Sequence, residues 1–218
     1  MPGMADRTPA EAWQALRAGN ARFVSGQREH PNQDADRRGE LTLDQKPLAV
    51  LFGCSDSRLA AEMIFDLGLG DLFVVRTAGH VVDSGVLGSI EFAVCGLQIP
   101  LVAVLGHDNC SAIDATLRAY TEGAMPGGFV RDIVALVSPS LIASIGEFAE
   151  IGDEHIRLTG EFVVERSKRI SDEVAAGNCA VIGLSYHLDV GRARLVSVIG
   201  DVGESPGPRP DAPPSASS

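Results

Sequence analysis

Four compact apolar runs punctuate the chain: Leu48–Gly53, Leu72–Arg76, Pro100–Gly106 and Cys179–Tyr186. They are partly β-branched and do not alternate with polar residues, which predicts strands buried on both faces. Between them, helical patterns cover Leu59–Asp66, Ser84–Gly96 and Ser111–Glu122, and a longer one runs from Asp153 to Ala176. Strands alternating with helices predict an α/β fold built on a mainly parallel sheet flanked by helices. After a turn at Asp189–Arg192, the stretch Ala193–Ile199 adds an edge strand, read as antiparallel. Upstream, Thr8-Pro9-Ala10-Glu11 has the form of a capping box with proline at the first helical position, so a helix should run through Trp13 and Leu16. Residues 26–47 are rich in charge, Gly and Pro, and read as an excursion with a short helix near Arg37–Asp44. Together with the first helix they form an N-terminal arm (8–47) expected to pack on a partner subunit. Residues 1–204 are expected to form one catalytic domain, and 205–218, Pro/Ser-rich and without large apolar side chains, a disordered tail.

Composition narrows the class. With 218 residues, 45% of them hydrophobic and 22% charged, the chain suits one full-sized core. Its apolar runs are too short to span a bilayer. A formal charge of −11 argues against a nucleic-acid groove or an anionic membrane surface as partner. Met1–Arg7 lacks the pattern of a secretory signal, which makes the cytoplasm the expected location. Four cysteines are too few for a disulfide scaffold, so thiols placed beside a histidine read as ligands.

Two of those thiols carry the chemistry. Cys54-Ser55-Asp56-Ser57-Arg58 follows the first apolar run directly, and His107-Asp108-Asn109-Cys110 follows the third. In a parallel sheet both segments emerge in the crevice beyond the C-terminal strand ends. Two thiolates and an imidazole suit zinc by softness, and three protein ligands leave a fourth tetrahedral position open, as catalytic sites require. Two thiolates also cancel the charge of the ion and weaken it as a Lewis acid, so a further group must favour bound hydroxide. A carboxylate on Asp56, held ionised by Arg58, supplies one by accepting the hydroxide proton in a hydrogen bond. A Cys–His hydrolase is a second reading of thiolate beside imidazole. It leaves the second cysteine and the Asp-x-Arg pair without a role.

The segments GCSDSR (53–58), DLFVVRTAG (71–79), SIEFAV (89–94) and VLGHDNC (104–110), in this order and spacing, resemble the β-class carbonic anhydrases from Trp13 to Gly203. The resemblance implies one zinc per chain on Cys54, His107 and Cys110, an Asp56–Arg58 dyad, and reversible hydration of carbon dioxide to bicarbonate and a proton. It also implies a homodimer or homotetramer with active sites at the subunit interface. A glutamine from the partner's arm, matched by Gln33, and an apolar pocket on Phe73, Ala78 and Phe92 would receive the substrate. Two positions depart from the family pattern: Ser111 stands where glycine is usual, narrowing the pocket, and Phe92 stands where many members carry tyrosine. These departures leave room for a carbonyl sulfide or carbon disulfide hydrolase on the same fold, and a second alternative is a non-catalytic zinc or redox-sensing protein in which Cys54 and Cys110 form an oxidisable pair.

Overall fold

The computed structural model describes residues 7–144 and 148–207. Most of the expected tail, 208–218, lies outside the described residues. In chain order the elements are α1 (Pro9–Ser25), α2 (Ala35–Glu40), β1 (Ala49–Cys54), α3 (Ala61–Ile64), β2 (Leu72–Thr77), α4 (Ser84–Glu91), β3 (Leu101–His107), α5 (Ser111–Thr121), α6 (Val130–Ala143), α7 (Phe148–Arg166), α8 (Lys168–Ala175), β4 (Ala180–His187) and β5 (Arg192–Ile199). The five strands lie in the order β2-β1-β3-β4-β5. The first four are parallel and β5 is antiparallel to β4, as its sequence suggested. No helix among the described residues is long and apolar enough to cross a membrane.

The sheet is buried between two apolar layers, and strand pleating sorts its side chains between them. Leu51, Leu101, Ala103, Leu105, Ile182 and Leu184 join one cluster with α1 and α3. Val50, Phe52, Val102, Val104 and Val181 join the other with Ile90, Ile156 and Val163. Strands β1 and β3 are buried along their whole length, which is why their runs read as continuously apolar. Strand β2 departs from that expectation. It is an edge strand, and its side chains are only half covered, with Val74 and Arg76 exposed.

Helix α1 forms as its capping box predicts: Glu11 N donates to Thr8 Oγ1 (3.2 Å) and Thr8 N donates to Glu11 Oε2 (2.8 Å). Its apolar face, Ala12, Trp13 and Leu16, is buried against its own sheet. Residues 26–46 are mostly exposed, as is the opposite face of α1 at Gln14, Arg17, Ala18, Ala21 and Val24. Gly19 allows α1 to approach closely, because a Cβ there would lie 1.8 Å from Phe65 O. Gly19→Ala gains about 1 kcal/mol of helix propensity. It should nevertheless lose about 1–3 kcal/mol net through the clash and lower the melting temperature by several degrees. An unchanged thermal melt would show that α1 can shift off Phe65 freely.

Two helical expectations are corrected, and a third, Ser84–Gly96, is helical throughout with a change of type near its end. The long helix read from Asp153 to Ala176 is two helices, because Ser167 leaves the helical conformation and caps α8 by accepting from Ile170 N (3.2 Å). The end of the helix read as Ser84–Gly96 widens after Glu91, where Leu97 N bonds Phe92 O (3.2 Å) five residues back. The segment Leu59–Asp66 is helical only over Ala61–Ile64. Helix α6 is an addition with no counterpart in the sequence reading. It carries Pro139 in its interior and buries Val134, Val137, Ser138 and Ser140.

Candidate metal centre

The strand order reverses direction at β1, with β2 on one side and β3 on the other. Such a switch point opens a crevice at the C-terminal strand ends. Cys54 is the last residue of β1 and His107 the last of β3, and Gly53 pairs with Leu105 in register, so both side chains reach the same crevice. Asn109 takes a left-handed conformation (φ 50°), one that asparagine tolerates better than most residues. That reversal sets Cys110, buried, at the N-cap of α5. Sequence separation is thereby closed by topology alone.

The ligand atoms of Cys54, His107 and Cys110 all lie within 4.8 Å of one another. Tetrahedral zinc with ordinary bond lengths needs sulfurs about 3.8 Å apart, a distance compatible with that cluster. His107 Nδ1 lies 2.7 Å from Asp108 O. Since a carbonyl can only accept, the proton sits on Nδ1 and the lone pair on Nε2. That Nε2 is buried and has no hydrogen-bond partner. A buried lone pair aimed between two sulfurs is the donor set of a zinc ligand, and the residues present fit the ion. The two thiols act on each other in opposite directions, the mutual contact pulling Cys54 well below the ordinary thiol value and, with burial, pushing Cys110 above it. Gly79 N adds a hydrogen bond to Cys54 Sγ (3.3 Å).

Asp56 and Arg58 pair as a fork: Arg58 Nε donates to Oδ1 (2.9 Å) and Nη2 to Oδ2 (2.6 Å). Arg58 N also donates to Oδ1 (2.9 Å), fixing the carboxylate to its own turn. The guanidinium holds the Asp56 carboxyl well below the usual carboxylate range. Oδ2 stands 3.9 Å from His107 Nε2, so the carboxylate borders the three-ligand cluster. Arg76, which the motifs did not single out for the site, holds the loop from beneath: its Nε donates to Cys54 O (2.9 Å) and its Nη2 to Asp56 O (2.6 Å).

Solved structures share this architecture. The Coccomyxa β-carbonic anhydrase in complex with acetazolamide superposes with a TM-score of 0.66 at 22% identity, covering 74% of this chain and 78% of that one. One of two tetrameric β-carbonic anhydrases of Sordaria macrospora gives 0.64 at 23% identity, covering 84% of this chain and 95% of that one. At such identities the likeness shows the fold. Residues 49–193 match the family described as carbonic anhydrase, a span that contains both ligand motifs. Carbonic anhydrase 2 of Mycobacterium tuberculosis is 51% identical over 205 residues, 92% of this chain and 99% of that protein. The chain belongs to the β-carbonic anhydrase family. A carbonic anhydrase of Mycolicibacterium smegmatis is 53% identical over the same length, covering 92% of this chain and 100% of that protein.

This carbonic anhydrase hydrates carbon dioxide reversibly to bicarbonate and a proton. Nothing in the comparisons favours the carbonyl sulfide or non-catalytic alternatives. β-Carbonic anhydrases are zinc enzymes, and the Cys-His-Cys cluster is where this one can hold the ion. The expected substrate pocket is less complete within one chain. Phe92 is 56% exposed and meets Phe73 as a tilted ring pair at 6.3 Å on the open edge of the sheet. Ala78 and Ser111 are exposed, one beside Gly79 and the other beside Cys110. Gln33 lies on the arm, its amide donating to Leu67 O (3.3 Å). Within the single chain Gln33, Ala78, Phe92 and Ser111 stay open to solvent, and Phe73 is half-buried.

Proposed function

We propose that Cys54, His107 and Cys110 hold one catalytic zinc ion per chain, with Asp56 and Arg58 as the dyad that orients the attacking water. The observation that carries this reading is the buried, unpartnered Nε2 of His107 converging with two sulfurs beside an ionised carboxylate. Bound there, zinc supplies Lewis-acid activation of water near neutral pH. Asp56 is too weak a base to keep the proton, because Arg58 stabilises its ionised form. Its part is to accept a hydrogen bond at Oδ2 and so turn a water lone pair toward carbon dioxide. Arg58 fixes that acceptor through two parallel bonds, which a single-point cation cannot do. The released proton passes to buffer as bicarbonate leaves.

We further propose that residues 1–204 act as one catalytic domain working as a homodimer or homotetramer. The exposed edge of β2 and the solvent-facing Phe92 support it, and so does the tetrameric assembly of the Sordaria relatives. In such an assembly Gln33 of one subunit reaches the other subunit's pocket of Phe73, Ala78, Phe92 and Ser111. Stopped-flow hydration of carbon dioxide on protein of measured zinc content tests the whole reading. Fully metallated protein inactive from neutral to alkaline pH would defeat it.

Ser111→Gly is expected to leave zinc content unchanged while raising kcat or lowering KM. The substitution removes a side chain from the first position of α5, next to a metal ligand. A variant that hydrates carbon dioxide no better would mean that the serine does not narrow the pocket.

A further inference from the structure

Directly behind Cys54 the chain turns out of β2 through Ala78-Gly79-His80, and Gly79 and His80 both have positive φ (65° and 41°). Such backbone suits glycine, but a side-chain-bearing residue adopts it only when its surroundings hold it there. Gly79 is pinned from two sides. Its N–H donates to Cys54 Sγ (3.3 Å), and its carbonyl accepts from His155 Nε2 on α7 (2.8 Å). A Cβ at this position would stand 2.7 Å from Ala112 Cβ in the first turn of α5, so only glycine fits.

His155 is itself locked. Its Nδ1 lies 2.9 Å from Ser140 Oγ on α6. Because Gly79 O can only accept, Nε2 carries the proton, and Nδ1 takes the Ser140 hydroxyl hydrogen. Burial pushes His155 below its ordinary value, which keeps this neutral form. The His80 ring packs 4.4 Å away, and neither of its nitrogens is hydrogen-bonded, so it forms one wall of the His155 pocket without competing for its bonds.

We infer that His155 is a positioning residue of this carbonic anhydrase: its bond to Gly79 O holds the turn in the arrangement that aims the Gly79 N–H at the Cys54 sulfur. The inference rests on the reading of Cys54 as a zinc ligand. A hydrogen bond received by a ligand sulfur draws charge from it and leaves the ion more electrophilic, the ordinary role of an outer partner at a metal site. The chain Ser140, His155, Gly79, Cys54 thus joins α6 and α7 to the metal cluster.

The full-length protein loaded with cobalt(II) reads the sulfur directly through its thiolate-to-cobalt charge-transfer band. His155→Phe keeps an aromatic ring and removes the donor. It is expected to move the band to lower energy and to lower kcat about tenfold while KM holds within about twofold. His155→Gln, whose amide can donate to the same carbonyl, should recover most of both effects. Ser140→Ala should shift the band in the same direction by less. A folded His155→Phe with an unmoved band overturns the inference. So does an equal shift in the Phe and Gln variants, which would mark a packing role. Should His155→Phe fail to fold, Ser140→Ala with the wild-type band overturns it instead. Wild-type protein that shows no charge-transfer band defeats the metal assignment itself, an outcome distinct from any difference among the variants.

Discussion

Alanine at His107 or Cys110 is expected to empty the metal site and to abolish carbon dioxide hydration together. Each residue supplies one of three ligand atoms clustered within 4.8 Å, and two remaining ligands hold the ion too weakly. Activity should fall by at least about 10³-fold, a modest share of the acceleration that enzymes commonly reach. The contrast is Cys95→Ser. Cys95 follows α4 and is half-buried beside Gln98 and Cys179, toward the opposite rim of the sheet, and burial raises its thiol. That variant should keep full zinc and full activity. Elemental analysis beside stopped-flow rates decides, and a Cys110→Ala protein with one zinc per chain would contradict the ligand assignment.

Asp56→Asn should retain zinc and lose about 10–100-fold in kcat, the usual scale for a group that orients a metal site from outside the ligands. The amide keeps the shape of the side chain but presents a donor where an acceptor is required. Arg58→Ala acts on the same atom by another route. Without the guanidinium, the Asp56 carboxyl rises toward the ordinary value of about 3.9 and so stays ionised at neutral pH. Its loss of rate must therefore come from lost orientation and should look alike from pH 6.5 to 8.5. Wild-type protein should likewise show no limb of its pH profile belonging to Asp56, whose folded value lies far below that window. A rate for Asp56→Asn within twofold of wild type would remove the dyad from the mechanism.

The strands and the site were legible in the sequence for the same reason. Runs such as Leu101–Leu105 are apolar at every position because β3 lies in the sheet interior, and chemistry placed at the end of such a run has one exit. Where the reading failed, the deciding partner is remote in sequence. Pro139 conceals α6, since proline ordinarily ends a helix, yet Val134, Val137 and Ser138 bury one face in spite of it. Ser167 divides the long helix by capping α8, and its hydroxyl also donates to Glu91 Oε2 (2.6 Å), 76 residues earlier. Val74 reads as core until the strand order puts it on an edge. No local pattern marks His155, whose importance arises only when α7 sets it under Gly79.

The pairing of α1 with β5 bears on the order in which the molecule can assemble. Trp13 Nε1 donates to Glu204 Oε2 (2.9 Å), Asn20 Nδ2 donates to Gly191 O (2.9 Å), and Ala193 N donates back to Asn20 Oδ1 (3.0 Å). These bonds span 171 to 191 residues, so in a chain synthesised N-terminus first α1 can meet Ile64 and Phe65 early but completes its docking only after β5 has left the ribosome. Cys54, His107 and Cys110, the proposed ligands, are made long before that moment. The parallel strands β1 and β3 that lead into them can pair during synthesis, and the bonds of α1 to the β5 side of the sheet form as a late step.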